Sequence, residues 1–378
     1  MTDSGLVIVD KSAGLTSHDV VARIRRIAGT RRVGHAGTLD PMATGVLVIG
    51  IEKATRLLGH LMLTEKDYSA TIRLGQSTTT DDADGEIVPS ASGADGSGAT
   101  GLDAPGRPLT IATGAVAAQV PEQELRSALA ALTGDIQQVP PGISAIKVNG
   151  KRAYHLTRSG AAPVLAARPV TVRRLELLAV RRTGDLLDID VQVTCSSGTY
   201  IRAIARDLGA ALGTGGHLTA LRRTRVGPYQ IDAARTLHQL ATSFEFIPLA
   251  DAAAAAFTRR DLTAEEARLV SHGVRLPAIG AGSAGPSSRI DGHDDHEPDV
   301  VGHGADDLAT ADSPAADSPA GDSTSAVGPV LAAGPTVARA AGPTVASEPV
   351  AAFGPDGSLI ALLVEKDGEA RPVAVFVP

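Results

Sequence analysis

One acidic side chain, Asp40, lies in a glycine-rich loop over residues 34–45, whose sequence is GHAGTLDPMATG. Pro41 fixes its own backbone φ angle and removes an N–H, so a helix is not expected to continue through the loop. Positively charged side chains precede it at Arg23, Arg25, Arg26, Arg31 and Arg32. A carboxylate on a stiff loop beside cations has the chemistry of a nucleophile. The alternative is an ordinary Asp-Pro turn that caps the next element.

Tyr68 and Arg202 have side chains that could also belong to a site with a carboxylate nucleophile. Tyr68 lies in a segment whose apolar residues alternate with polar ones, as in a half-buried strand. Arg202 lies near the start of a predicted helix over residues 199–212. By residue type alone, a strand tyrosine also fits a core position and a helix arginine fits a solvated surface.

The elements that would position these side chains form a mixed α and β pattern. Thr16 and Asp19 have the spacing of a capping box, which predicts a helix that ends at Gly29. Pro121 opens a second predicted helix. An Asn-Gly pair predicts a β-hairpin at residues 145–152. Predicted strands cover residues 6–10, 46–49, 68–74 and 187–193.

Composition limits the class of protein. The 378 residues suffice for two domains, and the single cysteine, Cys195, excludes an intrachain disulfide. The lone cysteine and the lack of a long apolar run predict a cytoplasmic protein without a membrane span. His/Cys metal spacing, a Walker loop and a dinucleotide fingerprint are absent from the sequence, so we expect neither a metal nor a cofactor.

Charge is distributed unevenly. The net charge is −7, but residues 281–350 contain eleven acids against two arginines, a local charge of −9, which leaves +2 for the rest of the chain. Arginines cluster at residues 23–32 and again at Arg202, Arg206, Arg222, Arg223 and Arg225. Such clusters are typical either of solvated helix faces or of a nucleic-acid site.

The C-terminal third divides into two kinds of sequence. Residues 281–348 are acidic and low in complexity, so we predict disorder there. A predicted helix at residues 263–273 and strands at 350–353, 359–364 and 372–377 flank them. The predicted domains are therefore residues 1–240, with a loop insertion at about 90–118, and residues 241–378, interrupted by the acidic insertion.

Several motifs together resemble the TruB family of pseudouridine synthases, which act at position 55 of tRNA. The loop at 34–45 matches the family signature, and the remaining motifs follow in the family's order between residues 5 and about 230, at 10–17, 66–85, 144–154, 197–202 and 216–223. Ser12 stands where the family pattern usually has proline. The C-terminal part is similar to a divergent PUA-type RNA-binding module.

The resemblance implies an α+β catalytic domain with a mixed, mainly antiparallel sheet, followed by a small β-rich PUA-like domain. It implies an isomerase that converts uridine to pseudouridine in the T-arm loop, with Asp40 as the nucleophile and Arg202 as its partner. Tyr68 would stack on the target uracil. The remaining substrate-binding residues that it implies are Tyr200 and Leu221, which line the uridine pocket, and His35, which contacts the flipped nucleotide or fills its place.

The same resemblance implies a monomer that acts on the T-arm stem-loop of tRNA without an obligatory protein partner. Guide-dependent relatives of the archaeal and eukaryotic type share the signature loop and are one alternative. A tRNA-folding or tRNA-binding protein without catalysis is another. A glycoside hydrolase that uses Asp40 with Asp84 is a third, but such enzymes need two carboxylates facing each other across a sugar.

Overall fold

The computed structural model describes residues 3–88, 101–102, 108–109, 117–142, 147–148, 151–152, 165–279 and 348–377. The predicted acidic insertion and most of the predicted loop insertion lie outside these residues. The described residues up to Ala278 and from residue 348 onward form one compact unit.

The strands of the N-terminal and central parts are β1 (Gly5–Lys11), β2 (Val33–Ala36), β3 (Thr44–Ile51), β4 (Lys66–Leu74), β5 (Ser77–Thr78), β6 (Ile87–Val88), β7 (Gly101–Leu102), β8 (Pro108–Leu109), β9 (Gly134–Gln138), β10 (Lys147–Val148), β11 (Lys151–Arg152), β12 (Arg168–Thr183), β13 (Leu186–Cys195), β14 (Gly216–Val226), β15 (Tyr229–Gln230) and β16 (Ile247–Pro248). The C-terminal part adds β17 (Thr258–Asp261), β18 (Leu276–Pro277), β19 (Val350–Phe353), β20 (Leu359–Lys366) and β21 (Glu369–Val375). The helices are α1 (Ser17–Ile27), α2 (Leu58–Leu61), α3 (Glu122–Ala131), α4 (Ile201–Ala211), α5 (Leu237–Thr242), α6 (Leu249–Ala256) and α7 (Ala264–Ser271), with 3-10 turns at Glu52–Arg56 and Ile231–Ala233.

A large sheet organises the N-terminal and central parts of the chain. Its strand order within the described residues is β16-β1-β3-β14-β4-β13-β12-β9, with β2 added beside β3 and β15 beside β14. Neighbouring strands run antiparallel except β3 and β14, which are parallel where Arg222 lies opposite Thr44. The predicted mixed, mainly antiparallel sheet is confirmed.

The front face of this sheet carries the main hydrophobic core. Buried side chains alternate along β13 with half-exposed polar ones, as the sequence pattern predicted. Val20 and Ile24, one helical turn apart on α1, pack against the same core. Thr16 caps α1 in the predicted capping box, in which its side chain accepts from Asp19 N and the Asp19 carboxylate accepts from Thr16 N.

A second sheet forms the C-terminal region, in the order β17-β19-β20-β21-β18. Its apolar side chains, among them Phe353 and Leu362, share one buried cluster with Leu6 and Ile8 of β1. The C-terminal sheet therefore covers the back face of the large sheet around β1 and β3. This confirms the predicted β-rich C-terminal region. The division at residue 240 stays a prediction.

Two long strands were not predicted from the sequence pattern. β12 and β14 contain bulges, at Val172/Arg174 and Leu177/Ala179 in β12 and at Leu218/Ala220 and Arg223/Arg225 in β14. Each bulge inserts one residue and shifts the alternation of apolar and polar positions to the other face. Of the predicted hairpin at 145–152, the paired strands β10 and β11 are described and confirmed, while the turn lies outside the described residues.

Candidate active site

A cavity of about 270 Å³ opens on the front of the large sheet, where the loop before β3, the start of β4, the loop before α4 and the middle of β14 meet. Five of the side chains predicted for the site from the sequence are among its lining residues: Asp40, Tyr68, Tyr200, Arg202 and Leu221. Four separate chain segments, far apart in sequence, therefore contribute to one site.

Asp40 and Arg202 form a two-pronged ion pair in the cavity wall. Arg202 Nε donates to Asp40 Oδ2 at 2.9 Å, and Nη2 donates to Oδ1 at 3.0 Å. The arginine side chain is 4% exposed and the aspartate side chain 34% exposed. The guanidinium thus holds the carboxylate from the protein side, and the carboxylate faces the open cavity.

A second carboxylate also lies near the Nε atom of Arg202. Asp82 Oδ2 is 3.5 Å from Arg202 Nε, and the Asp82 side chain is 5% exposed. Arg202 Nη1 also donates to the Thr80 carbonyl at 2.9 Å. Asp82 is itself held by hydrogen bonds from the Thr80 hydroxyl and the Asp84 N–H. Asp40, Asp82 and the Thr80 carbonyl all contact the guanidinium, so it has little freedom to rotate.

Buried polar side chains fix the loop on either side of Asp40. Ser17 Oγ accepts from Leu39 N at 2.9 Å and donates to the Leu39 carbonyl at 3.2 Å. Lys11 Nζ donates to the carbonyl of Pro41 at 3.1 Å. Because the residues before and after Asp40 are both held, the carboxylate is placed before any substrate binds, which is what proximity catalysis requires.

Arg223 fixes the start and the end of the same loop. It is 1% exposed, and its guanidinium donates to the Gly37 carbonyl at 2.9 Å and to the Val46 carbonyl at 2.8 Å. At Gly45, which has φ +97°, a Cβ atom would lie 2.2 Å from the Arg223 carbonyl oxygen. Only glycine permits this close approach of β3 to β14.

Tyr68 and Leu221 form apolar walls of the cavity, and each is 7% exposed. Burial raises the pKa of the Tyr68 hydroxyl, and nearby Arg223 offsets part of that rise. Tyr200 is the N-cap residue of α4. Its backbone is clamped by the buried amide of Gln138, which accepts from Tyr200 N at 2.8 Å and donates to Tyr200 O at 3.2 Å.

His35 is not among the residues that line the cavity. It is half-buried on β2, and its ring meets the ring of His18 edge-on at 5.6 Å between centroids. Its Nδ1 is buried without a hydrogen-bond partner among the described residues. Burial, followed by the positive charges of His18 and Arg223, lowers the pKa of His35. Its contact with a flipped nucleotide stays a prediction.

Two buried lysines adjoin the site. Burial lowers the pKa of Lys11 to about 8, although the charge of Asp40 acts in the opposite direction. Burial and then the charge of Arg223 lower the pKa of Lys66 to about 8. Lys66 lines the cavity and donates through Nζ to the carbonyls of Met62 and Thr64. Both ammonium groups replace water with backbone carbonyls, which partly offsets the cost of burial.

Several of these residues were not assigned a role from sequence. Asp82, Lys11 and Lys66 lie within matched motifs, so motif membership was the available signal. Ser17 also lies in a motif, but its role depends on contact with Leu39, 22 positions away. Gln138 gave no sequence signal, because nothing local distinguishes it from other strand-end glutamines.

Two of the three arginines on β14 are paired with acidic side chains of the same chain. Arg222 is paired with both carboxylate oxygens of Asp10, at 3.0 and 2.8 Å. Arg225 is paired in the same way with Asp67, at 2.6 and 2.8 Å. Arg223 is buried and donates to backbone carbonyls, so all three arginines have partners within the fold.

The described residues contain no group of three or more His, Cys, Asp or Glu side chains suited to a metal ion. None of their helices is long and apolar enough to cross a membrane.

Family models match most of the chain. The N-terminal domain of the TruB family of pseudouridylate synthases matches residues 25–99 and 96–201, and the tRNA pseudouridylate synthase B C-terminal domain matches residues 202–254. The model for the C-terminal part of tRNA pseudouridine synthase II matches residues 328–377. A tRNA pseudouridine synthase B from Arthrobacter sp. (strain FB24) is 51% identical over 99% of this chain and 97% of its own length. The chain belongs to the TruB family of pseudouridylate synthases.

Other similar proteins agree with this TruB assignment. A tRNA pseudouridine synthase B from Thermobifida fusca (strain YX) is 57% identical over 75% of this chain and 89% of its own length. Among solved structures, a Cbf5-Nop10-Gar1 complex matches with a TM-score of 0.59 and 22% identity, over 99% of this chain and 85% of that chain. At that identity the structural match shows the shared fold alone. The family predicted from the motifs is thus confirmed.

Proposed function

We propose that this TruB-family enzyme isomerises uridine 55 in the T-arm loop of tRNA to pseudouridine, with Asp40 as the nucleophile. The observation that carries the proposal is the Asp40 carboxylate, held by the buried guanidinium of Arg202 and open to the cavity. Homologues at 51% and 57% identity, both named tRNA pseudouridine synthase B, support the reaction and the substrate class.

The isomerisation requires an oriented nucleophile, and the cavity contains a carboxylate that can serve as one. The bond between uracil N1 and the ribose breaks, the base turns, and a carbon–carbon bond forms at C5. N1 gains a proton and C5 loses one, so atoms and electrons balance without a redox cofactor. Asp40 supplies the nucleophile, and Arg202 keeps its carboxylate oriented through the reaction.

The walls of the cavity suit a detached base. Tyr68 offers an aromatic ring on which uracil can stack, and Leu221 offers an apolar surface opposite polar groups. The backbone of Tyr200, fixed by Gln138, places the third wall. Because the glycosidic bond is inaccessible inside a stacked helix, the target nucleotide must flip out to enter this site.

The nature of the RNA follows from the same geometry. The cavity accommodates a single flipped base. Single-stranded loops present unstacked bases on which aromatic side chains can stack. Exposed arginines that precede the signature loop, Arg23, Arg26, Arg31 and Arg32, supply positive charge for flanking phosphates. The proposed enzyme acts as a monomer in the cytoplasm, without an obligatory protein partner.

A turnover assay with purified protein tests the proposal. The substrates are whole tRNA and an isolated T-arm stem-loop, each labelled with tritium at uracil C5, and the readout is tritium release. A stem-loop with cytidine at the target position is the matched control. We expect release from both uridine substrates and none from the control. A requirement for an added guide RNA and partner proteins would favour the guide-dependent alternative and contradict the proposal.

A further inference from the structure

Two neighbouring apolar side chains, Met62 and Leu63, are exposed to solvent, and the first of them lines the cavity. Leu63 is 72% exposed and Met62 is 42% exposed, the former the most exposed of the large apolar side chains in the described part of the chain. They follow α2, whose Leu58 and Leu61 are buried in the core. The helix is thus anchored by its own leucines, and the next two residues point outward.

The turn that carries these side chains is held firmly. Lys66 Nζ donates to the Met62 carbonyl at 2.9 Å and to the Thr64 carbonyl at 2.7 Å. Leu63 N donates to the His60 carbonyl at 3.1 Å, and Thr64 Oγ1 donates to the Leu61 carbonyl at 2.8 Å. A buried lysine of the cavity wall therefore fixes the backbone of an exposed apolar turn, which couples its position to that of the uridine site.

We propose that Met62 and Leu63 form an apolar wedge that packs against the bases of the RNA loop next to the flipped uridine. This inference rests on the proposed function. When a nucleotide leaves the stack, its neighbours expose flat apolar faces to water. Apolar side chains on a fixed turn can cover those faces, as wedge residues do in proteins that unstack nucleic acids. Burial of the leucine then stabilises the flipped state.

The position of the wedge favours RNA over a second copy of this chain. Met62 is continuous with the cavity, so an RNA loop whose uridine occupies the cavity must pass this turn. A stable protein interface needs roughly 800 Å² on each partner. Two adjacent side chains on a single turn provide only a small part of that area.

The test is Leu63→Ser in the full-length protein, with Leu178→Ser as the matched control. Leu178 is 54% exposed on β12 and is not a lining residue of the cavity. On the T-arm stem-loop we expect Leu63→Ser to raise KM and Kd roughly tenfold, equivalent to about 1.4 kcal/mol. Leu63→Met should restore wild-type affinity, because it keeps the apolar surface. Leu178→Ser should behave as wild type.

Two further measurements distinguish an apolar wedge from a phosphate contact and from general damage to the RNA-binding surface. The loss caused by Leu63→Ser should be the same at every salt concentration, because an apolar contact releases no counterions. It should also vanish on a fully paired RNA of equal length, which exposes no base faces.

Unchanged affinity for the stem-loop, an equal loss on paired RNA, or wild-type dimers that dissociate in Leu63→Ser would each overturn the wedge. The Kd is measured without turnover, so a stem-loop that binds but is not isomerised would contradict the proposed function and leave the wedge test intact.

Discussion

The large sheet carries arginine–aspartate pairs of the same local geometry on its two faces, in different surroundings. On the front, Arg202 holds Asp40 through two hydrogen bonds, with side-chain exposures of 4% and 34%. On the back, Arg73 holds Asp188 through two hydrogen bonds at 2.8 and 2.7 Å, with exposures of 33% and 16%. The contacts are alike, but only the front pair combines a buried cation with a carboxylate open to a cavity.

The two pairs differ in their surroundings and not in their contacts. The arginine of the back pair is 33% exposed against 4% for Arg202, so solvent screens the back pair more. The front arginine is enclosed with a second carboxylate, Asp82, and its removal would leave that charge buried without a counterion. The front pair therefore holds one carboxylate at a cavity within an enclosed charge network, whereas the back pair has a half-exposed arginine.

The largest effect should come from Asp40→Asn. The amide keeps the shape but is not a nucleophile, so we expect turnover to fall by at least roughly 10⁴-fold. Affinity for the stem-loop should stay close to that of the wild type. Asp188→Asn makes the same change on the back face and should keep normal turnover. Measurable turnover by purified Asp40→Asn in the tritium-release assay would exclude Asp40 as the nucleophile.

Arg202→Met should come next, with kcat reduced on the order of 10²–10³-fold because the carboxylate loses its orienting partner. The free energy of unfolding should also fall, by about 3 kcal/mol, because Asp82 is left buried and unpaired. Arg73→Met is the control and should change neither quantity much. Urea unfolding at wild-type stability for Arg202→Met would refute the enclosed-network interpretation.

A smaller loss is expected for Asp82→Asn. Arg202 keeps Asp40 and the Thr80 carbonyl as partners, so we expect a roughly tenfold fall in kcat with KM unchanged, from looser positioning of the guanidinium. Asp190→Asn, at a carboxylate on the back face, supplies the comparison. A change confined to KM would place Asp82 in RNA binding and not in positioning.

The last comparison concerns the pH dependence of stability and not turnover, and it should differ between the faces. Lys66 has a folded-state pKa of about 8, below its ordinary 10.5. Between these pH values the unfolded chain binds the proton that the folded chain has released, so the contribution of Lys66 to the free energy of unfolding rises with pH. Lys66→Met should lack that rise, and urea unfolding from pH 8 to 10.5 would reveal it.

Hydrogen bonds from Arg73 lower the pKa of Asp188 below its ordinary 3.8. This contribution to stability is present above pH 3.8 and is lost as the pH falls through the folded-state value. Asp188→Asn should therefore flatten the acid side of the stability profile and leave the alkaline side unchanged.

For Lys66, parallel slopes of stability against pH for Lys66→Met and the wild type above pH 8 would show that Lys66 is not desolvated as described.

Sequence reasoning succeeded where local rules govern the chain. The capping box at Thr16 and Asp19, the alternation along β4 and β13, and the C-terminal strands follow from side-chain periodicity. It failed at β12 and β14, because bulges shift the register within the strand. It also grouped Arg222 and Arg225 in a charged cluster without showing their ion-pair partners, because those aspartates lie more than 150 positions away.

By itself the sequence determined the family, the class of fold and the five residues Asp40, Tyr68, Tyr200, Arg202 and Leu221 that meet in one cavity, since those residues belong to motifs that can be matched along the chain. Only the tertiary structure decided how they are held. Ser17, Gln138, Arg223 and Lys11 contact backbone atoms of distant segments, and such contacts leave no local pattern. Burial is also the reason why we expect the loss of Arg202 to lower the stability of the fold as well as to release the Asp40 carboxylate. The energetic cost of an enclosed charge depends on what surrounds it in space and not in sequence.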